Sequence, residues 1–428
     1  MKDRYDTPFR LLTRHFFSAL FDLGFLSESQ SSSLAQLIAG IAGALLAAGF
    51  ILARVMMYRY GALSEFPNAL LYQQTFLTDH VFLIAVPMWI VAFVAVLVGP
   101  SLFPDETDFR VLGALPVTRS VVFGAKLAAL VLFIGLFVAA SVAALLPMFT
   151  VTTISPHRED AYAVLLAAWI VAGGLGALFA ALTVTAVQAL LLLFVPRRVL
   201  LTVSAATGSL MLFALVVGVP LVSHVPSFAQ AFASGSAWLR LFPPAWFVGL
   251  EQWLAGESQY GALALSAMAG LLIAGTVAAG TYLVLYRHFD RVMIRPARGG
   301  ASAVARPPTR TGRVLRRPAF TAVWAFTWLT LRRSALHQGV LVALTALGVA
   351  VVLSHVLGLD FRAAFITTDW RRRELINAFT WASFVLMFAI ALAVRAALLV
   401  PIESRANWIF RLTEQPGTRS HQMDAAAG

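Results

Sequence analysis

The chain has 428 residues, 60% hydrophobic and 12% charged, against about 45–50% and about 25% in soluble domains. A soluble fold is excluded, because it has no interior large enough for that much apolar surface. The formal net charge is +12, but the basic residues fall between apolar runs instead of along one stripe, which argues against a nucleic-acid partner. Cysteine is absent, and with it disulfides, Cys-ligated zinc and iron–sulfur clusters.

At the N-terminus Asp3, Asp6 and Asp22 interrupt the basic stretch and no signal-peptide core follows, so the first spanning helix stays as an anchor. Within residues 1–33, Phe9, Leu12, Phe16, Leu20 and Leu23 recur at helical spacing beside a polar stripe of Arg10, Arg14, Ser18 and Asp22. That pattern predicts a helix lying in the membrane interface. At about 20 apolar residues per crossing, eight runs then qualify as spans: 34–58, 81–99, 121–149, 161–194, 199–222, 261–286, 339–358 and 376–400. The fold class expected is all-α, a polytopic transmembrane helical bundle. The fourth run is too long to stand upright in a bilayer and must tilt or project.

Between the fifth and sixth runs, in 223–260, Pro243-Pro244 opens a second amphipathic helix with Trp246, Phe247, Leu250, Trp253 and Leu254 on one face before Gly256. Its tryptophans suit the headgroup region, and the alternative for this helix and the N-terminal one is a surface helix packed against the bundle without a role in transport. Residues 287–338 begin as a linker rich in Pro, Gly, Arg and Ala, apt to lie along anionic lipid. They end in an aromatic segment with Phe320, Trp324, Trp328 and Leu331. The basic loops orient the chain with its N-terminus in the cytoplasm, together with Arg110, Arg119, Arg197, Arg198 and the arginines of 287–333. Arg371, Arg372 and Arg373 dissent, falling in a loop placed outside.

An internal repeat appears at an offset of 300 residues: Leu115-Pro116-Val117-Thr118-Arg119-Ser120 returns as Gln415-Pro416-Gly417-Thr418-Arg419-Ser420. A span ends shortly before each copy, another precedes it, and an aromatic-rich segment precedes both. The second copy, 339–428, stops after its short motif where a third span is expected, so the chain reads as part of a longer functional unit.

The eight runs hold no Asp or Glu, and Arg54, Lys126 and Arg395 lie near run ends where they can snorkel. Carriers driven by protons or cations usually need an intramembrane carboxylate, so secondary transport loses ground. The histidines form no pair at four-residue spacing, and no metal is expected. There is no Gly-x-Ser-x-Gly elbow and no phosphate-binding loop, so energy must come from another chain. Small residues at Gly40, Ala44 and Ala48, and at Gly270 and Ala274, mark close helix packing. Gln188 either lines a path or satisfies a neighbouring helix.

One segment differs in kind. Residues 100–120 carry Asp105, Glu106, Asp108 and Arg110, then Leu112 and Leu115 at helical spacing, then Pro116, Thr118 and Arg119, with Lys126 close behind. Its alternative is a solvated re-entry turn. The acid cluster, the Leu-Pro-Val-Thr-Arg turn and the following lysine resemble the cytoplasmic coupling loop of ABC-2-type exporter permeases. The resemblance covers residues 5–286 in order: interfacial helix, two spans, coupling loop, three spans, outer amphipathic segment, sixth span.

It implies an ABC-2-like six-span unit over 34–286 plus a partial second repeat, in the bacterial cytoplasmic membrane. It also implies a separate ABC ATP-binding subunit that holds ATP and Mg, no cofactor in this chain, and a lipid-like or amphipathic cargo. A second permease copy is the further partner it leaves open. By the same resemblance the coupling residues are Asp105, Glu106, Asp108, Arg110, Leu112, Leu115, Pro116, Thr118, Arg119 and Lys126. A second coupling motif would comprise Glu403, Arg405, Asn407, Trp408, Arg411, Glu414, Pro416 and Arg419, although it lacks the acid cluster and has Gly417 for Val117. A membrane scaffold with the same fold but no transport is the competing reading. A membrane enzyme has no acid–base or nucleophile pair to support it.

Overall fold

The structure is a computed structural model that describes residues 8–21, 34–65, 69–98, 117–153, 162–195, 203, 206–214, 216–217, 231–232, 234–287, 327–328, 335–357 and 369–399. Those residues are helical almost throughout, with no strand among them. The chain divides into two compact units, residues 1–195 with 218–289, and residues 196–217 with 290–428.

The first unit is built from α1 (Pro8–Phe21), α2 (Leu34–Glu65), α3 (Ala69–Val98), α4 (Arg119–Thr153), α5 (Tyr162–Phe194), α6 (Pro243–Leu254) and α7 (Gly261–Arg287). Short 3-10 turns, Ala237–Leu241 and Ser258–Tyr260, flank α6. Within the long apolar run 161–194, Tyr162–Phe194 forms one unbroken helix of 33 residues, about 50 Å at about 1.5 Å per residue, and so exceeds the bilayer core of about 30 Å. Five helices among the described residues are long and apolar enough to cross a membrane: Tyr72–Val96, Ser120–Thr153, Tyr162–Leu191, Ser258–Arg287 and Ile376–Leu398. The chain is a helical membrane protein.

Its side chains are sorted as lipid requires. On α7 the small residues Ala264, Ala267, Ala274 and Ala278 face inward, while Leu265, Leu272 and Ile273 are exposed. In water this would be a large aggregation-prone patch. In lipid, where apolar exposure is free, close backbone approach through small residues is what holds helices together.

α3 is the central helix, with 67% of its apolar window buried against 22% for α7. It packs on α5, α4 and α6, and joins a core that includes Leu20, Val91, Phe133, Phe137 and Ala177. α3 begins at Ala69, not at Val81 as the hydropathy run predicts, because the intervening polar residues are sheltered by neighbouring helices instead of by water.

The small-residue predictions divide. Gly270 and Ala274 do sit in a seam: a Cβ at Gly270 would stand 2.8 Å from Trp246, and Ala274 is buried. Gly40, Ala44 and Ala48 are exposed, and α2 meets α4 elsewhere, where Gly49 lies against the backbone of Ala144.

The second unit contains α8 (Ala335–Leu357) and α9 (Asp369–Leu399), packed together. Ala378, Ala382, Ala389, Ala393 and Ala397 make the buried edge of α9, with Gly348 of α8 against Ala389. Arg371, Arg372 and Arg373 lie in the first turns of α9, not in a loop. Of the predicted fifth span, only 203, 206–214 and 216–217 are described, and they are helical.

Candidate functional site

Thr118, Arg119 and Lys126 alone, of the predicted coupling residues, fall among the described residues. Asp105, Glu106, Asp108, Arg110, Leu112, Leu115 and Pro116 lie outside them, as does the whole second motif from Glu403 to Arg419. Thr118 is exposed and its carbonyl accepts the amides of Val121 and Val122 at 3.0 and 3.3 Å, closing the first turn of α4. Arg119 is the first residue of that helix. Lys126 is buried rather than solvated, its ammonium 5.2 Å from the centroid of the Phe16 ring on α1.

The polar chemistry collects at the other end of the first unit. There the C-terminal turns of α2 and α4 meet the N-terminal halves of α3 and α5, and α6 inserts beside them. Asp79 of α3 accepts Arg59 Nη1 on Oδ1 and the Tyr60 hydroxyl on Oδ2, both at 2.8 Å. About two helical turns nearer the start of α3, the buried Tyr72 hydroxyl donates to the Thr152 carbonyl at 2.7 Å. His80 forms the centre. Its Nδ1 lies 2.6 Å from Glu251 Oε1 of α6, and its Nε2 lies 3.3 Å from Thr152 Oγ1 of α4.

Both His80 and Glu251 are fully buried, at 0% exposure of each side chain. The Phe76 ring lies 3.8 Å from the His80 ring, centroid to centroid, and Phe149 and Trp169 stack alongside. Among the described residues, Glu251 Oε2, Gln252 Nε2 and Trp169 Nε1 are buried without a hydrogen-bond partner. Such polar atoms are costly in an apolar interior and mark a place where a further group or proton can be taken up.

This cluster corrects the sequence reading that the spans carry no acid: Asp79 lies inside the spanning helix Tyr72–Val96 and is buried. The weakness assigned to ion- or proton-linked chemistry on that ground disappears with it. Helix α6 also differs from one lying in the interface plane. Phe247, Val248 and Leu250 are buried, Trp246 packs against Phe179, and a Cβ at Gly176 would stand 3.2 Å from Phe247. α6 therefore enters the bundle, and only Trp253 and Leu254 keep substantial exposure. Gln188 takes its structural alternative, with Nε2 donating to the Ala95 carbonyl at 3.5 Å. Tyr72, Phe76 and His80 at four-residue spacing, and one glutamate amid the aromatics of 243–254, were the available signals for the cluster.

A second feature is a groove of about 1030 Å³ between α4, α5 and α7, lined by residues such as Leu127, Ile134, Leu178, Leu182, Ala278 and Tyr282. Its lining is almost wholly apolar. The Tyr282 hydroxyl is turned aside, donating to the Phe123 carbonyl at 3.1 Å.

Compared with models of known protein families, with curated proteins and with solved structures, the chain finds no match in any of the three.

Proposed function

We propose that the chain is the membrane-spanning permease subunit of an ATP-driven exporter of ABC-2 type, in a bacterial cytoplasmic membrane with its N-terminus inside. ATP and magnesium are held by a separate ABC subunit. Eight spans belong to this proposal, α2, residues 199–222 and α8 joining the five helices named above, as do the six-span unit and the partial repeat.

The observation that carries the reading is the joint between α1 and α4. Residues 100–120, the docking segment, run directly into α4, whose first turns are covered by α1: Phe16 packs on Ala125 and Ala129, and Lys126 stands over the Phe16 ring. A soluble partner that pushes on this segment moves an interfacial helix and a span as one body. The groove between α4, α5 and α7 supports an amphipathic cargo, since its wall suits an acyl chain and offers little to a polar solute.

The test is partner ATPase activity and efflux in reconstituted vesicles. Leu115→Ala should weaken assembly by about 2 kcal/mol, the effect of truncating an apolar anchor. Arg119→Glu should slow association and sharpen its salt dependence, as a rim charge does. Pro116→Gly should leave the complex assembled while loosening the link between hydrolysis and efflux. If all three retain wild-type binding and efflux, the segment is a re-entry turn and the proposal fails. Binding of an ATPase without any efflux would identify a scaffold instead.

A further inference from the structure

The link between His80 and Glu251 is sound at one proton count only. The Thr152 hydroxyl donates to the Phe149 carbonyl at 2.8 Å, so toward His80 it is an acceptor, and His80 Nε2 carries a proton. The 2.6 Å contact between Nδ1 and Glu251 Oε1 then needs one more proton, on the ring or on the carboxyl. Without it, a ring lone pair faces a carboxylate and the site is negative. With two, imidazolium and carboxylic acid together leave the site positive. Only the single shared proton gives a pair that is hydrogen-bonded and neutral overall, and both side chains are wholly buried, where unbalanced charge is strongly disfavoured.

Among the described neighbours only Asp79, the residue before His80, acts electrostatically on the ring, and its charge is already shared with Arg59 and Tyr60. α3 brings Asp79 and Tyr72, and α2 brings Arg59 and Tyr60; Asp79 is already engaged by both α2 groups, and Tyr72 donates to Thr152. α5 brings Tyr162, which lies against Phe149 and Thr150. The last turn of α4 holds no titratable group, and α6 holds none except Glu251. Beside α6, Arg240 and Glu257 are exposed and Tyr260 is buried against Phe232.

We propose that His80 and Glu251 form a proton-operated clasp: one shared proton closes the seam between α3 and α6, and uptake of a second proton opens that seam to water. The reading holds whether or not an ATPase drives the chain. α6 is otherwise retained by apolar contacts of Phe247, Val248 and Leu250, which do nothing to stabilise a charge, so hydration of the pair relieves it.

The chain lacks cysteine, so a single reporter reads the seam. The full-length chain carrying Val248→Cys, wholly buried on α6, is placed in phosphatidylcholine nanodiscs and reacted with an impermeant maleimide from about pH 8 to about pH 5. Ser258→Cys, at an exposed position, supplies the intrinsic pH dependence of a thiol, and the ratio of the two rates is the readout. The ratio should rise on acidification by about tenfold per pH unit, the slope of a one-proton step. Glu251→Gln, which keeps a hydrogen bond to Nδ1, should move the midpoint by at least about one pH unit. The double variant His80→Gln with Glu251→Gln should give a flat ratio. A flat wild-type profile, an unmoved midpoint in Glu251→Gln, or a slope that survives in the double variant overturns the clasp.

Discussion

Asp79 holds two donors of unequal worth. Arg59 and the Tyr60 hydroxyl both approach it at 2.8 Å, but the Arg59 side chain is 49% exposed while Tyr60 is buried. Water competes for the guanidinium, and a partly exposed ion pair contributes about 0–1 kcal/mol. The phenol is sheltered, and removing its hydroxyl leaves a buried carboxylate oxygen short of a donor, at a cost of about 1–3 kcal/mol. Tyr60→Phe should therefore lower the Tm of the purified chain more than Arg59→Ala does. The reverse order would mean that the guanidinium, not the phenol, holds α2 to α3.

The seam between α2 and α4 depends on a single missing side chain. A Cβ at Gly49 would collide with the backbone carbonyl of Ala144, which cannot rotate away, whereas a Cβ at Gly43 would meet nothing within 4 Å. Gly49→Ala should cost about 1–3 kcal/mol by forcing the helices apart. Gly43→Ala should be neutral or slightly stabilising, because alanine is the better helix former. Thermal unfolding of the two variants side by side checks this, and equal stability would place the α2–α4 contact elsewhere. Along α6 the deciding feature is different: aromatic rings on one face read in isolation as an interfacial helix, yet Phe247 and Leu250 are buried among α3, α5 and α7.

For the molecule as a whole, the arginine distribution makes a directional prediction. Single cysteines replacing Thr118 or Pro308 should be protected from an impermeant reagent in intact cells, while ones replacing Ser155 or Ser258 should react. Reaction at Pro308 from outside would invert the topology. With the N-terminus inside, the His80–Glu251 pair lies toward the outer face, since Thr152 near the end of α4 and Tyr72 near the start of α3 adjoin it.

The helical class, the membrane as solvent, the single long helix over 162–194 and the limits of α7 follow from sequence alone. Each depends on the length and apolarity of one continuous run, a local quantity. The start of α3 does not follow, because hydropathy counts Tyr72, Asp79 and His80 as polar and cannot register that Tyr60, Thr152 and Glu251 satisfy them. Nor does the choice of Gly49 over the Gly40, Ala44 and Ala48 stripe, since both offer small residues and only the approach of α4 selects one. Residues 171 positions apart, His80 and Glu251, share no pattern that a reading along the chain can detect. Burying polar groups is tolerable only in pairs, and pairs across helices are made by the tertiary structure.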